Sequence, residues 1–213
     1  MKNCRIIDID QRSLDWHAMR KGRVTASNFK KFVTPAKFDL VKDPMHYVYE
    51  LLESVYAPEE RPDLSNNVHV QRGIESEPLA LELFAEMHPY FDVKQVGFVA
   101  YNEGYIGLSP DALLYRGGEP VAGLEIKCPQ YTTHCRYHWE NKVPSEYRAQ
   151  VYGSMALTGL PWYFMSYHHS AKPFIKVIDT GDETEKILQT IEQFTELYLE
   201  TRQQLEQMLG HGE

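Results

Sequence analysis

The sequence lacks a long hydrophobic run, a disulfide framework, internal repeats and low-complexity segments. No apolar stretch approaches the roughly 18 residues that a membrane-spanning helix needs, and the first residues lack the apolar segment of a signal peptide. Three cysteines (Cys4, Cys128 and Cys135) are an odd number without framework spacing, which is typical of a reducing compartment. We therefore expect a cytosolic protein with no membrane partner.

The composition is that of an ordinary globular protein. A chain of 213 residues corresponds to one domain at roughly 150 residues per domain. Hydrophobic residues make up 43% and charged residues 24% of the chain, which excludes extensive disorder and collagen-like structure. We expect one domain over residues 1–213, with a helical part at about 13–90, a sheet at about 91–178 and an amphipathic helix at about 183–209.

The spacing of apolar residues predicts a mixture of helices and strands. Helices are expected at 13–32 (in two pieces that break near Gly22), 45–57, 76–87, 145–158 and 183–209. Strands are expected at 93–100, 105–108, 112–115, 121–127, 162–167 and 174–178, and a loop at 58–67. This order predicts an α/β or α+β domain with a mixed sheet flanked by helices.

The net charge of −8 is unevenly distributed. Residues 20–42 hold seven Lys and Arg side chains and one acid, whereas residues 179–213 hold nine acids and two basic side chains. The first segment would attract a polyanion and the second would repel it. The alternative interpretation is two charged surface patches without a ligand.

Two neighbouring strands carry the side chains best suited to metal chemistry. Asp111 follows the strand that ends in Leu108, and Glu125 and Lys127 project from one face of the strand at 121–127 because side chains alternate along a strand. Two adjacent carboxylates repel each other unless one is protonated or a cation lies between them. Oxygen ligands of this kind suit Mg²⁺, and Lys127 would act on water or on phosphate charge. The alternative is a Glu–Lys pair at a sheet edge.

Other candidate residues have a structural explanation beside the functional one. Glu77 is a possible third metal ligand, or a carboxylate stabilised at a helix N-terminus. Tyr147 and Gln150 share a helix face, where they would pack in the core or reach the substrate. The cysteines and histidines at 128–138 do not have the usual spacing of a zinc site.

Taken together, these motifs resemble the lambda-type alkaline exonucleases, the YqaJ-like viral recombinase family within the PD-(D/E)xK nuclease superfamily. The matching segments span residues 16–167 in the family's order. They are Trp16-His17-Ala18-Met19-Arg20, Val24-Thr25-Ala26-Ser27, Arg72 to Glu77, Leu108-Ser109-Pro110-Asp111, Leu124-Glu125-Ile126-Lys127 and Tyr147-Arg148-Ala149-Gln150. The resemblance implies a restriction-endonuclease-like core and a single nuclease domain over residues 1–213.

The resemblance also implies an activity, namely Mg²⁺-dependent exonuclease digestion of one strand of linear double-stranded DNA in the 5′-to-3′ direction, with Mn²⁺ as a possible substitute. Mononucleotides would be released, and the remaining 3′ single strand would pass to an annealing recombination protein of a phage or bacterium. The enzyme would act on DNA ends, as a homotrimer, in the bacterial or phage-infected host cytosol.

Roles for individual residues follow from the same resemblance. Asp111, Glu125, Glu77 and the main-chain carbonyl of Ile126 would hold the metal, Lys127 would be the catalytic lysine, and Gln150 would contact the active site. Arg20, Ser27 and Ser109 would bind the terminal 5′-phosphate. Two alternatives remain, a structure-specific or restriction-type endonuclease on the same core, and a non-catalytic DNA-binding module.

Overall fold

The computed structural model describes residues 1, 3–57 and 68–210, except for the side chains of 68–70. The α-helices in these residues are α1 (Leu14–Arg20), α2 (Met45–Tyr56), α3 (Val68–Met87), α4 (Tyr131–Glu140), α5 (Ser145–Thr158) and α6 (Asp182–Leu209). A 3₁₀ helix occupies Ala26–Lys31. None of the described helices has the length and apolar character needed to span a membrane.

The strands form two mixed sheets. They are β1 (Cys4–Ile7), β2 (Val24–Thr25), β3 (Asp92–Lys94), β4 (Phe98–Tyr101), β5 (Ile106–Leu108), β6 (Ala112–Arg116), β7 (Glu119–Lys127), β8 (Trp162–Ser166) and β9 (Phe174–Ile178). One sheet has the order β1-β4-β5-β2 and the other β3-β6-β7-β8-β9. β2 pairs in parallel with β5, and β7 with β8, while the other pairs are antiparallel. The expected mixed α+β class is therefore confirmed, with two sheets instead of one.

The five-stranded sheet is covered on both faces, which fixes the orientation of β7. Ala80 and Phe84 of α3 pack with Leu124 and Ile126 of β7 on one face. The opposite face packs with α5 and α6 in the larger core cluster. Because side chains alternate along a strand, Glu125 and Lys127 share the opposite face, as the sequence predicted, and the structure shows that this is the α5 side.

The expected strand at 93–100 is wrong, because the chain divides there into β3 and β4, which belong to different sheets. Gly97 lies at the division, where a Cβ atom would come within 1.9 Å of the Ile9 carbonyl oxygen. The close approach of the N-terminal segment therefore separates the two strands. The periodicity of apolar residues cannot predict a contact between segments as distant in sequence as Ile9 and Gly97.

Two helix boundaries also differ from expectation. The second piece of the 13–32 helix is a 3₁₀ helix preceded by β2, whose Val24 pairs with Ile106. α3 begins at Val68 instead of at 76, so Pro78 lies inside the helix and not in its first turn. A proline there removes one backbone hydrogen bond, but packing of Ala80 and Phe84 against β7 holds the helix in place.

The sequence did not predict β1 or α4. α4 has an irregular hydrophobic pattern because one of its two buried residues is a histidine, His134, beside Tyr137. The predicted helices at α2, α5 and α6 and the strand β9 are confirmed within one or two residues. The predicted loop at 58–67 lies outside the described residues.

Candidate active site

Asp111 lies beside Glu125 at one end of the five-stranded sheet. The register pairs Ala112 with Leu124, so the preceding Asp111 lies opposite Glu125. The Asp111 amide donates to the Leu124 carbonyl at 3.1 Å, and the Ile126 amide donates to the Asp111 carboxylate. These backbone contacts fix the carboxylate against β7, so the structure brings the two predicted ligands together.

Glu125 is buried, with 3% of its surface exposed. Its Oε1 accepts hydrogen bonds from Lys127 Nζ and from the side-chain amide of Gln150 on α5, the latter at 2.6 Å. Gln150 lies near the centre of α5, which also packs in the larger core cluster. The carboxylate is therefore held by its own strand and by the helix that covers it.

The charges in this cluster act on one another. Burial, and then the charge of Glu125, raise the pKa of Asp111 well above its ordinary value, although Lys127 opposes the shift. Burial on its own would lower the pKa of Lys127, but the charges of Glu125 and Asp111 raise it above its ordinary value. Two carboxylates thus share a single ammonium group, and the site has an excess of negative charge that a cation would offset.

Glu77 of α3 lines the same cleft, together with Asp111 and Glu125. Its carboxylate forms an ion pair with Arg12, which precedes α1. Within the described ranges, no cluster of three or more His, Cys, Asp or Glu side chains is arranged to hold a metal ion. The role of Glu77 as a third ligand therefore stays a prediction. Only one of its two carboxylate oxygens is paired with Arg12.

Arg20, Ser27 and Ser109 converge in the same cleft. Arg20 Nη1 donates to Ser109 Oγ at 3.2 Å, and Nη2 donates to Ser27 Oγ at 2.7 Å. The guanidinium also stacks on the Trp16 ring, 4.4 Å from its centroid, and lies 3.3 Å from the Thr25 hydroxyl. The result is a cationic group surrounded by hydroxyls, which is a suitable site for a phosphate.

Both groups of side chains open into one cleft of about 270 Å³. Its lining is Gln11, Arg12, Trp16, Arg20, Ala26, Ser27, Glu77, Leu108, Ser109, Asp111, Glu125, Lys127, Gln150 and Ser154. A second recess of about 330 Å³ continues on the other side of Lys127 and Glu77, beside Arg72, Cys128 and Tyr147. A larger groove of about 590 Å³ runs along α6, but its lining includes Glu103, Glu192 and Glu196, which would repel a polyanion.

The remaining candidates divide between the site and the core. Tyr147 contacts both, since its ring lies 5.1 Å from Lys127 Nζ and 5.6 Å from the Phe164 ring. His134 is buried and lies 2.8 Å from the Ser166 hydroxyl and 2.9 Å from the Lys172 carbonyl, so its ring nitrogens are already hydrogen bonded. These contacts give His134 a structural role, and the expectation against a zinc site stays a prediction.

Sequence reasoning gave no role to three residues that contact the predicted site residues or their neighbours. Gln11 donates from its amide to the carbonyls of Val96 and Pro110, both at 2.8 Å, and thereby ties down the residue before Asp111. Arg12 pairs with Glu77, and Trp16 contacts Arg20. Trp16 belongs to a motif that the sequence did reveal, but nothing local indicated a role for the two residues before α1.

Comparison with protein-family models identifies the YqaJ-like viral recombinase domain, which matches residues 15–161. This stretch includes every predicted site residue, from Arg20 to Gln150. Among functionally curated proteins, no relative matches significantly.

Several solved structures are similar over nearly the whole chain. The alkaline exonuclease LHK-Exo from Laribacter hongkongensis is 25% identical, with 93% of this chain and 97% of that chain covered and a TM-score of 0.75. LHK-Exo in complex with dAMP is 26% identical, with coverage of 93% and 99% and a TM-score of 0.77. A phage-related exonuclease from Haemophilus somnus is 16% identical, with coverage of 90% and 99% and a TM-score of 0.61, and shows the fold alone. These similarities confirm the restriction-endonuclease-like fold.

Proposed function

Because the chain belongs to the YqaJ-like viral recombinase domain family, we propose that it is a DNA exonuclease, and more specifically a Mg²⁺-dependent enzyme that degrades one strand of linear duplex DNA from its 5′ end. The similarity to an alkaline exonuclease over 93% of the chain supports the general activity. A deoxynucleoside monophosphate is bound in the LHK-Exo complex, and this supports mononucleotides as the products here. The 3′ strand that remains would be passed to an annealing recombination protein.

One observation carries the proposal: the acidic cluster of Asp111 and Glu125 shares a single cleft with the Arg20 guanidinium and its hydroxyl neighbours. An enzyme that removes nucleotides from a 5′ end needs to hold the terminal phosphate while it hydrolyses the next phosphodiester. The two halves of the cleft supply these two functions. An endonuclease would need the acidic cluster but no pocket for the terminal phosphate.

The donor set suits Mg²⁺. Asp111 and Glu125 supply hard carboxylate oxygens, and the main-chain carbonyl of Ile126, which follows Glu125 on β7, is a further proposed ligand. The raised pKa of Asp111, caused by burial and by the charge of Glu125, agrees with a site that a cation would stabilise. When bound, Mg²⁺ would lower the pKa of a coordinated water and offset the charge of the scissile phosphate.

Lys127 is proposed as the catalytic lysine. Its ammonium group is held against Glu125 at the wall of the cleft, where it would orient water and stabilise negative charge that develops on the phosphate. Gln150 would keep the Glu125 carboxylate in place.

In the same cleft, Arg20, Ser27 and Ser109 are proposed to bind the terminal 5′-phosphate. A guanidinium forms charge-assisted and often bidentate hydrogen bonds to phosphate. Hydroxyl groups on both sides of it, at 3.2 Å and 2.7 Å, would complete the shell around the phosphate oxygens. Binding there would place the next phosphodiester toward Asp111 and Glu125.

The test is digestion of a linear duplex that carries distinguishable labels at its 5′ and 3′ ends, in Mg²⁺ and in EDTA. We expect early release of labelled mononucleotide from the 5′ end, late release from the 3′ end, no digestion of a covalently closed circle, and no activity in EDTA or in Asp111→Ala. Cleavage of the closed circle would favour the endonuclease. Tight DNA binding without hydrolysis in Mg²⁺ or Mn²⁺ would favour the non-catalytic module.

A further inference from the structure

The hydroxyl of Ser109 accepts two hydrogen bonds at once. Trp16 Nε1 donates to it at 2.9 Å and Arg20 Nη1 at 3.2 Å. A serine hydroxyl has two acceptor lone pairs and one proton. With both lone pairs occupied, the proton has to point in the remaining direction, away from the two donors.

Among the described residues, the Ser109 side chain makes two hydrogen bonds and accepts in both, so none of these residues takes its proton. Ser109 is half-buried and lines the cleft. A ligand in the cleft is therefore the natural acceptor. A hydroxyl that can only donate forms a good hydrogen bond to an anionic phosphate oxygen. It forms a poorer one to a hydroxyl group that would itself act as the donor.

Three contacts hold Trp16 in place. Its indole N–H also donates to the Gly97 carbonyl at 3.0 Å, its backbone amide donates to the Ser13 hydroxyl, and its ring lies under Arg20. A phenylalanine at this position would keep the ring under the guanidinium but lose the N–H. The Ser109 hydroxyl could then turn its proton elsewhere, including toward the Gly97 carbonyl that the indole no longer occupies.

We propose that Trp16 is a positioning residue that fixes the Ser109 hydroxyl as a hydrogen-bond donor toward the cleft. This fixed direction makes the pocket selective for a terminal phosphate over a terminal hydroxyl. The inference rests on the proposed function, since it assumes that a 5′ end occupies the pocket. Selectivity for the end would thus depend on the indole N–H of Trp16, which contacts Ser109, as well as on Arg20, which would contact the phosphate directly.

The experiment compares initial rates on two duplexes that differ only in a 5′-phosphate or a 5′-hydroxyl, for wild type, Trp16→Phe, Ser109→Ala and the double variant. We expect Trp16→Phe to reduce the phosphate-to-hydroxyl rate ratio about tenfold, the effect of one hydrogen bond to a charged group. In the Ser109→Ala background, Trp16→Phe should leave the ratio unchanged, because a residue that acts through Ser109 has nothing left to position.

Trp139→Phe is the matched control, since this tryptophan on α4 is 91% exposed and lies outside the cleft. It should leave the ratio at the wild-type value. If Trp16→Phe does not fold, benzothienylalanine at position 16 keeps the shape of the side chain and replaces the N–H with sulfur, and the same loss of ratio is expected. Affinities for the two ends, measured in EDTA, should follow the same pattern without hydrolysis.

An unchanged ratio in Trp16→Phe would overturn the inference, and so would an equal effect of that substitution with and without Ser109. A wild-type enzyme that digests linear duplex from 5′ ends but treats both ends alike would also overturn it, while leaving the exonuclease standing. Absence of hydrolysis on any end would instead contradict the proposed function itself.

Discussion

The side-chain amide of Gln150 donates to the same oxygen of Glu125 that accepts from Lys127. This contact joins α5 to β7, because Gln150 lies on the helix that crosses over between the parallel strands β7 and β8. Among the described residues, the second oxygen of Glu125 has no hydrogen-bond partner. One oxygen of Glu125 thus fixes the orientation of the carboxylate, and the other is available to a cation.

Gln150→Ala should therefore lower turnover by about tenfold and leave KM for DNA nearly unchanged. The reason is that the substitution removes one neutral hydrogen-bond donor from a carboxylate and no DNA contact. Gln150→Glu should be more damaging, since a third acid would add repulsion to the Asp111 and Glu125 pair. Steady-state kinetics in Mg²⁺ measure both effects, and a rise confined to KM would place Gln150 in DNA binding instead.

Asp111→Asn should abolish hydrolysis and leave the metal-free protein at least as heat-stable as wild type. Burial and the charge of Glu125 raise the pKa of Asp111, which means that its ionised form is unfavourable in the fold without metal. Asparagine can still accept from the Ile126 amide. Thermal unfolding with and without Mg²⁺ provides the measurement: the metal should raise the Tm of wild type but not that of the variant. Equal stabilisation of both proteins would remove Asp111 from the metal site.

Lys127→Ala should cut turnover by about 10² to 10⁴ while affinity for duplex DNA stays near that of wild type. Lys127→Arg is the companion variant, because it keeps a positive charge beside Glu125 with different geometry. Partial recovery of turnover in the arginine variant would support an electrostatic role. Loss of affinity at unchanged turnover would make Lys127 a simple phosphate contact.

The parts of the site that the sequence predicted are those that local rules determine. Glu125 and Lys127 share a strand face because side chains alternate, and Asp111 lies opposite them because β6 and β7 form a hairpin around Gly117 and Gly118. Both relations span at most 16 residues. The ion pair between Arg12 and Glu77 joins positions 65 residues apart, and no spacing rule predicts it.

The same distinction explains the fold. α2 and α6 carry apolar residues at helical spacing, and the end of α5 is marked by Gly159, so each could be predicted from its own segment. β2 has two residues and exists only because Val24 and Thr25 pair with a strand about 80 residues away. The break between β3 and β4 likewise depends on the approach of Ile9 to Gly97. Tertiary contacts therefore determine β2 and the break between β3 and β4, and the local sequence pattern does not predict such contacts.

His134 should make stability depend on pH near neutrality. Burial, followed by the nearby His138 and His168, lowers its pKa from the ordinary value of about 6.5, although the Lys172 carbonyl opposes this. The unfolded chain therefore binds this proton more readily than the folded protein. The free energy of unfolding should fall as pH is lowered through about 6.5, and fall less in His134→Gln. Urea unfolding of both proteins across this range tests the difference, and parallel pH profiles would contradict it.

A homotrimer is the last expectation, and the structure narrows where its contacts can lie. The apolar stripe of α6 and the tyrosines of α2 are candidates for such contacts, because aromatic side chains are enriched at interface cores. Ile187, Ile191 and Phe194 are instead buried in the protein's own core, as is Tyr47. Tyr49 is 53% exposed on α2, and Met208 and Leu209 are 79% and 65% exposed at the end of α6.

Head-to-tail contacts that close into a ring would keep the enzyme on the strand that it leaves behind. We therefore expect light scattering at micromolar concentration to give three times the mass of the chain, and Tyr49→Glu to lower that mass if α2 contributes to the interface. With excess trap DNA, the wild type should continue to digest the duplex on which it started. A dissociated variant should stop after a few nucleotides, although it should hydrolyse the first phosphodiester at the wild-type rate. A monomer that still removes long stretches in one encounter would contradict the ring and leave the chemistry of Asp111, Glu125 and Lys127 unaffected.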